Sequence, residues 1–429
     1  MPDLLKFADP AILEQMGPVW GYELKPIFKI ANERLRLLVD WQPNATISAV
    51  IELAIDNAKV MVGRKKRRFQ EIELELKAGD SRALPDLAVQ LQDEAKLRVS
   101  TLSKADRGFE LVSPSIPKAA TAKEAPLSSA HTAKQAMVRI VAGCLNQAIS
   151  NIRAAHDGRD IEGVHQLRVA LRRGQAAVKL FRPLLAKDTA KAWSAIFRER
   201  RQILGHARDL DVLRSEILLP IHNSRLIMDD HGASLVALSE LLTEIRAGIQ
   251  SELAGRLYEP AFSQGLLTVA AGLNRLDLTD PDSAKVRQAQ ARPIQHFAAR
   301  KLAKSHKQVL AAAGPRIGDL PIAQIHAVRL ELKALRYGVD FFGGLFPRKA
   351  VKPFRKALKD LQELLGRIND AEVASMRINE AIDGQTDPCL PAAAHFIAGW
   401  QAAELQARLP DLQERFDAFA DQQPFWIAH

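Results

Sequence analysis

The chain has 429 residues, 47% of them apolar and 26% charged, with 60 Lys and Arg against 50 Asp and Glu for a net charge of +10. That length and composition allow two or three domains with real cores, and no apolar run approaches the roughly 20 residues that cross a bilayer. Aromatic residues make up 6% and include 3 Tyr. These are too few for the stacking platforms of a nucleic-acid binder, and no helix-turn-helix pattern is present.

The two cysteines, Cys144 and Cys389, sit far apart with no metal-ligand spacing, as expected of buried thiols in a reducing cytosol. The first residues are acidic where a secretory leader would be basic and apolar, so the cytoplasm is the expected location. Charge is nearly balanced over residues 1–125, which places the basic excess, and a basic partner surface, in the remainder.

Residues 1–112 carry β-branched runs with partial period-two alternation, PIFKIANERLRLLVDW, ISAVIELAIDNAKVMVG and FQEIELELKAG, separated by turn signals at Pro43-Asn44 and Gly79-Asp80. They predict three antiparallel strands, then a helix over ALPDLAVQLQDEAK and a strand-turn-strand over LRVSTLSKADRGFELV. On the third strand Glu71, Glu73, Glu75 and Lys77 share one face, with Ile72, Leu74 and Leu76 on the other. Three carboxylates in a file need an offsetting charge: a divalent cation, facing Arg and Lys, or plain solvation.

The order EIELELK, helix, SKADRG resembles the C-terminal half of a CYTH domain, the triphosphate tunnel fold whose members bind or hydrolyse triphosphorylated compounds with Mg²⁺ or Mn²⁺. By that resemblance Glu73 and Glu75 stand where metal ligands would, and Arg34, Arg36, Lys77, Lys104 and Arg107 where phosphate-facing residues would. The E-x-E-x-K strand that opens the family has no counterpart before Leu24. The region therefore reads as a partial α+β tunnel remnant, incomplete for triphosphatase activity.

Residues 113–130, SPSIPKAATAKEAPLSSA, read as a linker. Beyond it the pattern is helical, with helices predicted near 131–156, 160–185, 188–205 and 209–256 and a shorter one near 260–274. After the polar break LDLTDPDS come helices near 287–313, 321–346, 350–366, 370–383 and 390–420. Two helical units, 131–284 and 285–420, follow from this.

The stretch 164–181 sets Val164, Leu167, Leu171, Gly174, Val178 and Phe181 at spacings of three and four, one buried stripe. One residue on runs a file of His165, Arg168, Arg172, Gln175, Lys179 and Arg182. The whole stretch returns 161 residues later, with Ile325, Val328, Leu332, Leu335, Val339 and Phe342 as its seam and His326, Arg329, Lys333 and Arg336 as its file. The same offset aligns Arg139 with Arg300, Trp193 with Phe354, Arg198 with Lys359 and Asp209 with Asp370, so the chain holds two copies of one helical unit.

H-x-L-R-x-x-L-R at His165, H-x-V-R-x-x-L-K at His326 and the L-G-x-x-x-D that follows each resemble the CHAD family, the conserved-histidine α-helical domain. The resemblance implies two pseudo-symmetric four-helix bundles with a basic cleft that binds inorganic polyphosphate, as a binder and not an enzyme, with no cofactor required. Mg²⁺ or Mn²⁺ would belong only to the tunnel remnant. The expected track comprises Arg139, His165, Arg168, Arg172, Arg173, Lys179, Arg182, Arg198, Arg201 and Arg208 with Arg300, Lys304, Lys307, His326, Arg329, Lys333, Arg336, Lys352, Arg355 and Lys359; Lys191 opens the third-helix file. Polyphosphate granules and their proteins are the surroundings such a binder would have.

A polyphosphate chain has no base edges and no rings, so a file of forked Arg and point-charge Lys suits it. Protonation of His165 and His326 would strengthen binding toward acid pH. The bland alternative is a set of solvated helix faces, against which stand the repetition and the position of the files beside the seam. The other functional alternatives are a metal-dependent triphosphatase and a general nucleic-acid binder.

Overall fold

The computed structural model describes residues 25–44, 47–224, 229–276 and 283–427. The segment before Leu24, where the opening strand of a tunnel fold would stand, lies outside them, as does most of the polar break LDLTDPDS. The chain divides into two compact units, residues 1–84 with 100–115 and residues 85–99 with 116–429.

In the first unit β1 (Lys29–Asn44), β2 (Ile47–Val62) and β3 (Lys65–Gly79) form a three-stranded antiparallel sheet in that order. Gly63 takes a left-handed φ of 55° in the tight turn between β2 and β3. The register sets Asp56 opposite both Arg34 and Glu71, Ala54 opposite Glu73 and Glu52 opposite Glu75, so these charged positions share one face. Helix α1 (Ala83–Ala95) follows, all but its first two residues in the second unit.

The strand-turn-strand expected over 97–112 is instead helix α2 (Lys104–Val112). Its start is fixed by a capping box: the Ser103 hydroxyl accepts from the Asp106 N–H at 3.1 Å, and the Asp106 carboxylate accepts from the Ser103 N–H at 2.9 Å.

The second unit is helical. It holds α3 (Ala133–Asp157), α4 (Ile161–Phe181), α5 (Lys187–Ile203), α6 (Gly205–Val212), α7 (Asp229–Tyr258), α8 (Pro260–Arg275) and α9 (Ala284–Ala291). It continues with α10 (Ile294–Ala313), α11 (Ile322–Phe342), α12 (Arg348–Ile382) and α13 (Cys389–Ala420). The 161-residue offset is structural: α4 and α11 share it at both ends, and each runs into a 3₁₀ turn, Arg182–Leu184 or Gly343–Leu345.

Every seam residue of α4 and α11 named above is buried; each large apolar side chain so buried contributes about 1.5–3 kcal/mol. The copies trade volume across the seam. Gly174 is the gap that Phe197 fills, since a Cβ there would lie 2.4 Å from the Phe197 ring, whereas the second copy sets Leu335 and Leu358 at the same places. The equivalent residues Phe181 and Phe342 meet edge to face at 5.8 Å, with Phe297 stacked on Phe181 at 5.2 Å. The two copies thus join at one aromatic centre.

Two helix predictions need correction. The helix expected over 209–256 breaks after α6 into a π-helical stretch, Leu213–Leu218, and a single turn, Leu219–His222, before α7 begins. The helices expected at 350–366 and 370–383 are one continuous α12. The helix is interrupted at Leu204, so that Gly205 opens α6, while the equivalent Gly366 lies inside α12, where an interior glycine costs only about 1 kcal/mol.

A second core, with Leu210, Leu213, Leu238 and Leu242 against Ile378, Leu390, Ala393 and Ile397, draws on both copies. Residues 113–130 have no helix or strand, yet the buried Asn151 amide grips Ala120, accepting from its N–H and donating to its carbonyl, both at 2.8 Å. Leu127 packs on the main core. Cys144 is buried and its thiol is pushed up to about 11 by burial; Cys389 is half-buried.

Candidate functional site

The register of the repeat brings equivalent positions of α4 and α11 face to face. Arg168 with Arg329, Arg172 with Lys333 and Asp209 with Asp370 all line one cleft of about 1080 Å³. The cleft is therefore built about the relation between the copies, and it is lopsided. The first copy adds His165, Lys179, Arg182, Lys191, Arg198, Arg201 and Arg208, together with Lys187, which the sequence reading missed; the second adds Tyr337, Gln362 and Asn369.

Eleven Lys and Arg side chains face three carboxylates, Asp209, Glu216 and Asp370. Arg168 lies 3.7 Å from Asp209, which Arg377 also engages at 3.0 Å, and Arg208 meets Glu216 at 2.8 Å. Arg329 donates to the Asn369 amide oxygen. Among the described residues Arg172, Arg198, Arg201, Lys179 and Lys333 have no carboxylate partner. The Nε atoms of Arg172, Arg201 and Arg329 are buried without a hydrogen-bond acceptor. Orphaned charged donors of this kind are costly unless something supplies oxygens to them.

The electrostatics point the same way. Burial depresses the Arg168, Arg201 and Arg329 guanidinium groups. Burial and then Arg329 and Arg172 bring the Lys333 ammonium down to about 7, and burial and then Arg208 and Arg172 push His165 down to about 4. Cations are crowded here at close range, partly desolvated and not neutralised. An anion with many oxygens would relieve all of these groups at once.

The remaining predicted residues lie elsewhere. His326 bonds Glu372 at 2.8 Å, and Arg336 bonds Gln362 at 2.9 Å and approaches Asp340 at 3.7 Å. Arg173 lies 5.1 Å over the Phe341 ring. Arg139, Arg300, Lys304 and Lys307 are exposed on α3 and α10 and line neither this cleft nor the next. Lys352, Arg355 and Lys359 line a second, smaller pocket with Arg348 and Lys356. Lys187 was legible after all, since it stands four residues before Lys191 in the same file.

In the first unit a separate cluster forms on the charged sheet face. Asp56, fully buried, accepts from Asn32 at 2.8 Å and from Arg34 at 2.7 Å. The Lys104 ammonium, brought in by α2, lies 2.7 Å from Asp56, 2.5 Å from Glu71 and 2.7 Å from Glu73. Asp56, Glu71 and Glu73 have the spacing and the hard oxygens of a divalent-cation site. Lys104 already holds the position such a cation would take. Arg34 and then Lys104 draw the Asp56 carboxyl well below its usual range, and the three carboxylates outweigh burial to hold the Lys104 ammonium above its own. Glu75 stands apart, paired with Lys77 at 3.0 Å.

The second unit is thus a two-copy helical repeat whose copies together line a cleft rich in Lys and Arg. The CHAD domain profile matches residues 139–379, more than half of the chain, and the chain belongs to the CHAD family. The crystal structure of the CHAD domain from the plant Ricinus communis superposes with a TM-score of 0.59 at 28% identity, covering 71% of this chain and 98% of that one. PptA from Streptomyces chartreusis gives a TM-score of 0.47 at 17% identity over 67% of this chain and 99% of that one, too loose a match to carry weight. An inorganic triphosphatase of Haemophilus influenzae is 37% identical over 88 residues, 20% of this chain and 24% of that protein. The chain thus spans about a quarter of that relative's length.

Proposed function

We propose that the central cleft binds inorganic polyphosphate without hydrolysing it. The observation that carries this reading is the file of unneutralised cations, with buried Nε donors on Arg172, Arg201 and Arg329 that lack any acceptor. Polyphosphate supplies oxygens on every unit and asks for no base-edge or stacking contacts. The polyphosphate-binding character of the CHAD family supports it. Calorimetric titration with long-chain polyphosphate tests it, and saturable binding is expected. No helix of the described residues is long and apolar enough to cross a membrane. Independently of that, a polyphosphate binder would work in the cytoplasm, in the company of polyphosphate granules.

The pH response of binding follows from Lys333 rather than from His165. Facing it are Arg329 on its own helix, Arg168 and Arg172 on α4, and Asp370 on α12. Free Lys333 is protonated below about 7 and loses its proton above it; the anion holds the proton on. Affinity should therefore be flat just below pH 7 and fall by up to about tenfold per unit above it, as one linked proton requires. Titrations at pH 6, 7, 8 and 9 check this, and Lys333→Met should flatten the profile. The free protein should behave oppositely, gaining stability from this group between pH 7 and 10, where only the unfolded lysine keeps its proton.

A second reading, metal-dependent triphosphate chemistry in the first unit, has the Asp56, Glu71 and Glu73 cluster and the partial triphosphatase likeness in its favour. The position of Lys104 opposes it: Mg²⁺ or Mn²⁺ must first displace the ammonium. Lys104→Met in the full chain is expected to strengthen Mn²⁺ binding at least about tenfold, a change of about 1.4 kcal/mol, read by electron paramagnetic resonance of free Mn²⁺. Equal affinity in both proteins would contradict this account of the cluster, and Mn²⁺-dependent phosphate release by the unaltered chain would favour the enzyme.

A further inference from the structure

The second pocket, of about 660 Å³, lies beside the Gly343–Leu345 turn and the first turns of α12. Its cations repeat the outer wall of the central cleft. Arg348, Lys352 and Lys359 stand 161 residues after Lys187, Lys191 and Arg198, and each trio lines its own pocket. At two positions the copies exchange charge: Arg182 is matched by Gly343, and Ser194 by Arg355. Gly343 makes the exchange fit, because a Cβ there would stand 2.7 Å from Arg355 Nη2. The guanidinium lost from the end of α11 is thus restored from α12.

That guanidinium is only loosely paired. Arg355 Nε is buried without an acceptor, and its nearest carboxylates, Glu124 at 3.7 Å and Asp340 at 4.0 Å, lie beyond hydrogen-bond distance. Glu124 is three-quarters exposed and comes from the strap that Asn151 grips at Ala120. It is the only acid lining the pocket among the described residues.

We propose that this pocket is a second oligophosphate site, separate from the central cleft, over which Glu124 stands as a loosely held internal anion that the ligand displaces. The proposal rests on the reading of the cleft as a polyphosphate binder and extends it to the second copy. Among the described residues the pocket wall carries no aromatic ring for a base to stack on, which favours a short inorganic phosphate chain over a nucleotide.

Titration of the full chain with tripolyphosphate tests it. Two classes of site are expected, the weaker one in this pocket. Lys352→Glu with Lys359→Glu should remove the weaker class and spare the stronger, while Arg172→Glu with Lys333→Glu should do the reverse. Glu124→Gln should tighten the weaker class about threefold, the scale of an exposed ion pair. A single class of site, unaltered by the Lys352/Lys359 and Glu124 variants yet lost with Arg172 and Lys333, would overturn the second site and leave the cleft reading standing. Loss of all binding with Lys352 and Lys359 alone would overturn the cleft reading instead. Absence of any tripolyphosphate binding would overturn both, and circular dichroism on each variant reports whether it folds.

Discussion

Replacing Arg172 and Lys333 together with glutamate is expected to weaken polyphosphate binding at least about a thousandfold while helicity is retained. The two residues are equivalents in the repeat, stand in one cleft and have no carboxylate partner among the described residues. A hydrogen bond to a charged group contributes about 1.5–3 kcal/mol, so losing two such contacts and adding two repulsions removes about 4 kcal/mol or more, about a thousandfold. The fold should tolerate the change, because each new carboxylate arrives beside arginines, Arg168 and Arg329, that now crowd other cations. Circular dichroism and calorimetry on the same preparations check both halves. Retained affinity with intact helicity would move the site away from the cleft.

Salt should act almost as strongly. A cleft with eleven Lys and Arg side chains binds a polyanion largely by releasing condensed counterions. On duplex DNA, six to ten phosphate contacts already lose about 10³–10⁵ in affinity between 50 and 200 mM salt. A fall of about a thousandfold over that range is expected here. A slope near zero would mean that few of these cations touch the ligand. The Arg172 and Lys333 variant should also show a shallower slope than the unaltered protein, since fewer counterions remain to be released.

The helical seams were legible because burial imposes a period of three and four, and the repeat was legible because two copies of one packing problem keep the same apolar positions. The sheet was legible from its period of two. Other features turn on chemistry that periodicity does not carry. Helix α2 depends on one capping box at Ser103 and Asp106, which outweighed the β-branched look of its neighbourhood. The break at Leu204 and the continuity through Leu365 fall on the same Leu-Gly pair of the two copies, so the local sequence does not tell them apart.

Within the cleft, spacing placed Arg168, Arg172 and Lys179 on one file and Arg198 and Arg201 on another, and α4 and α5 carry both files to the cleft wall. Spacing alone could not tell which equivalents of the second copy would join them. Arg329 and Lys333 do so, whereas His326 turns to Glu372 and Arg336 to Gln362. Those choices are set by acceptors on α12, 26 to 46 residues away. The pH handle shifted for a related reason: His165, expected to titrate near neutrality, is pushed down to about 4 by burial and by Arg208, and the group left near 7 is a lysine. The strap at 113–130 read as free because its composition is that of a linker; its anchoring rests on one buried amide, Asn151.

The most direct test of the central claim is a parallel titration of the purified chain with long-chain polyphosphate and with duplex DNA at one salt concentration near 150 mM. The account predicts saturable binding to polyphosphate and affinity for DNA lower by at least about a hundredfold, a difference of about 2.7 kcal/mol. Equal affinity for both would reduce the cleft to general anion attraction, and no binding to either would make its cations a solvated surface.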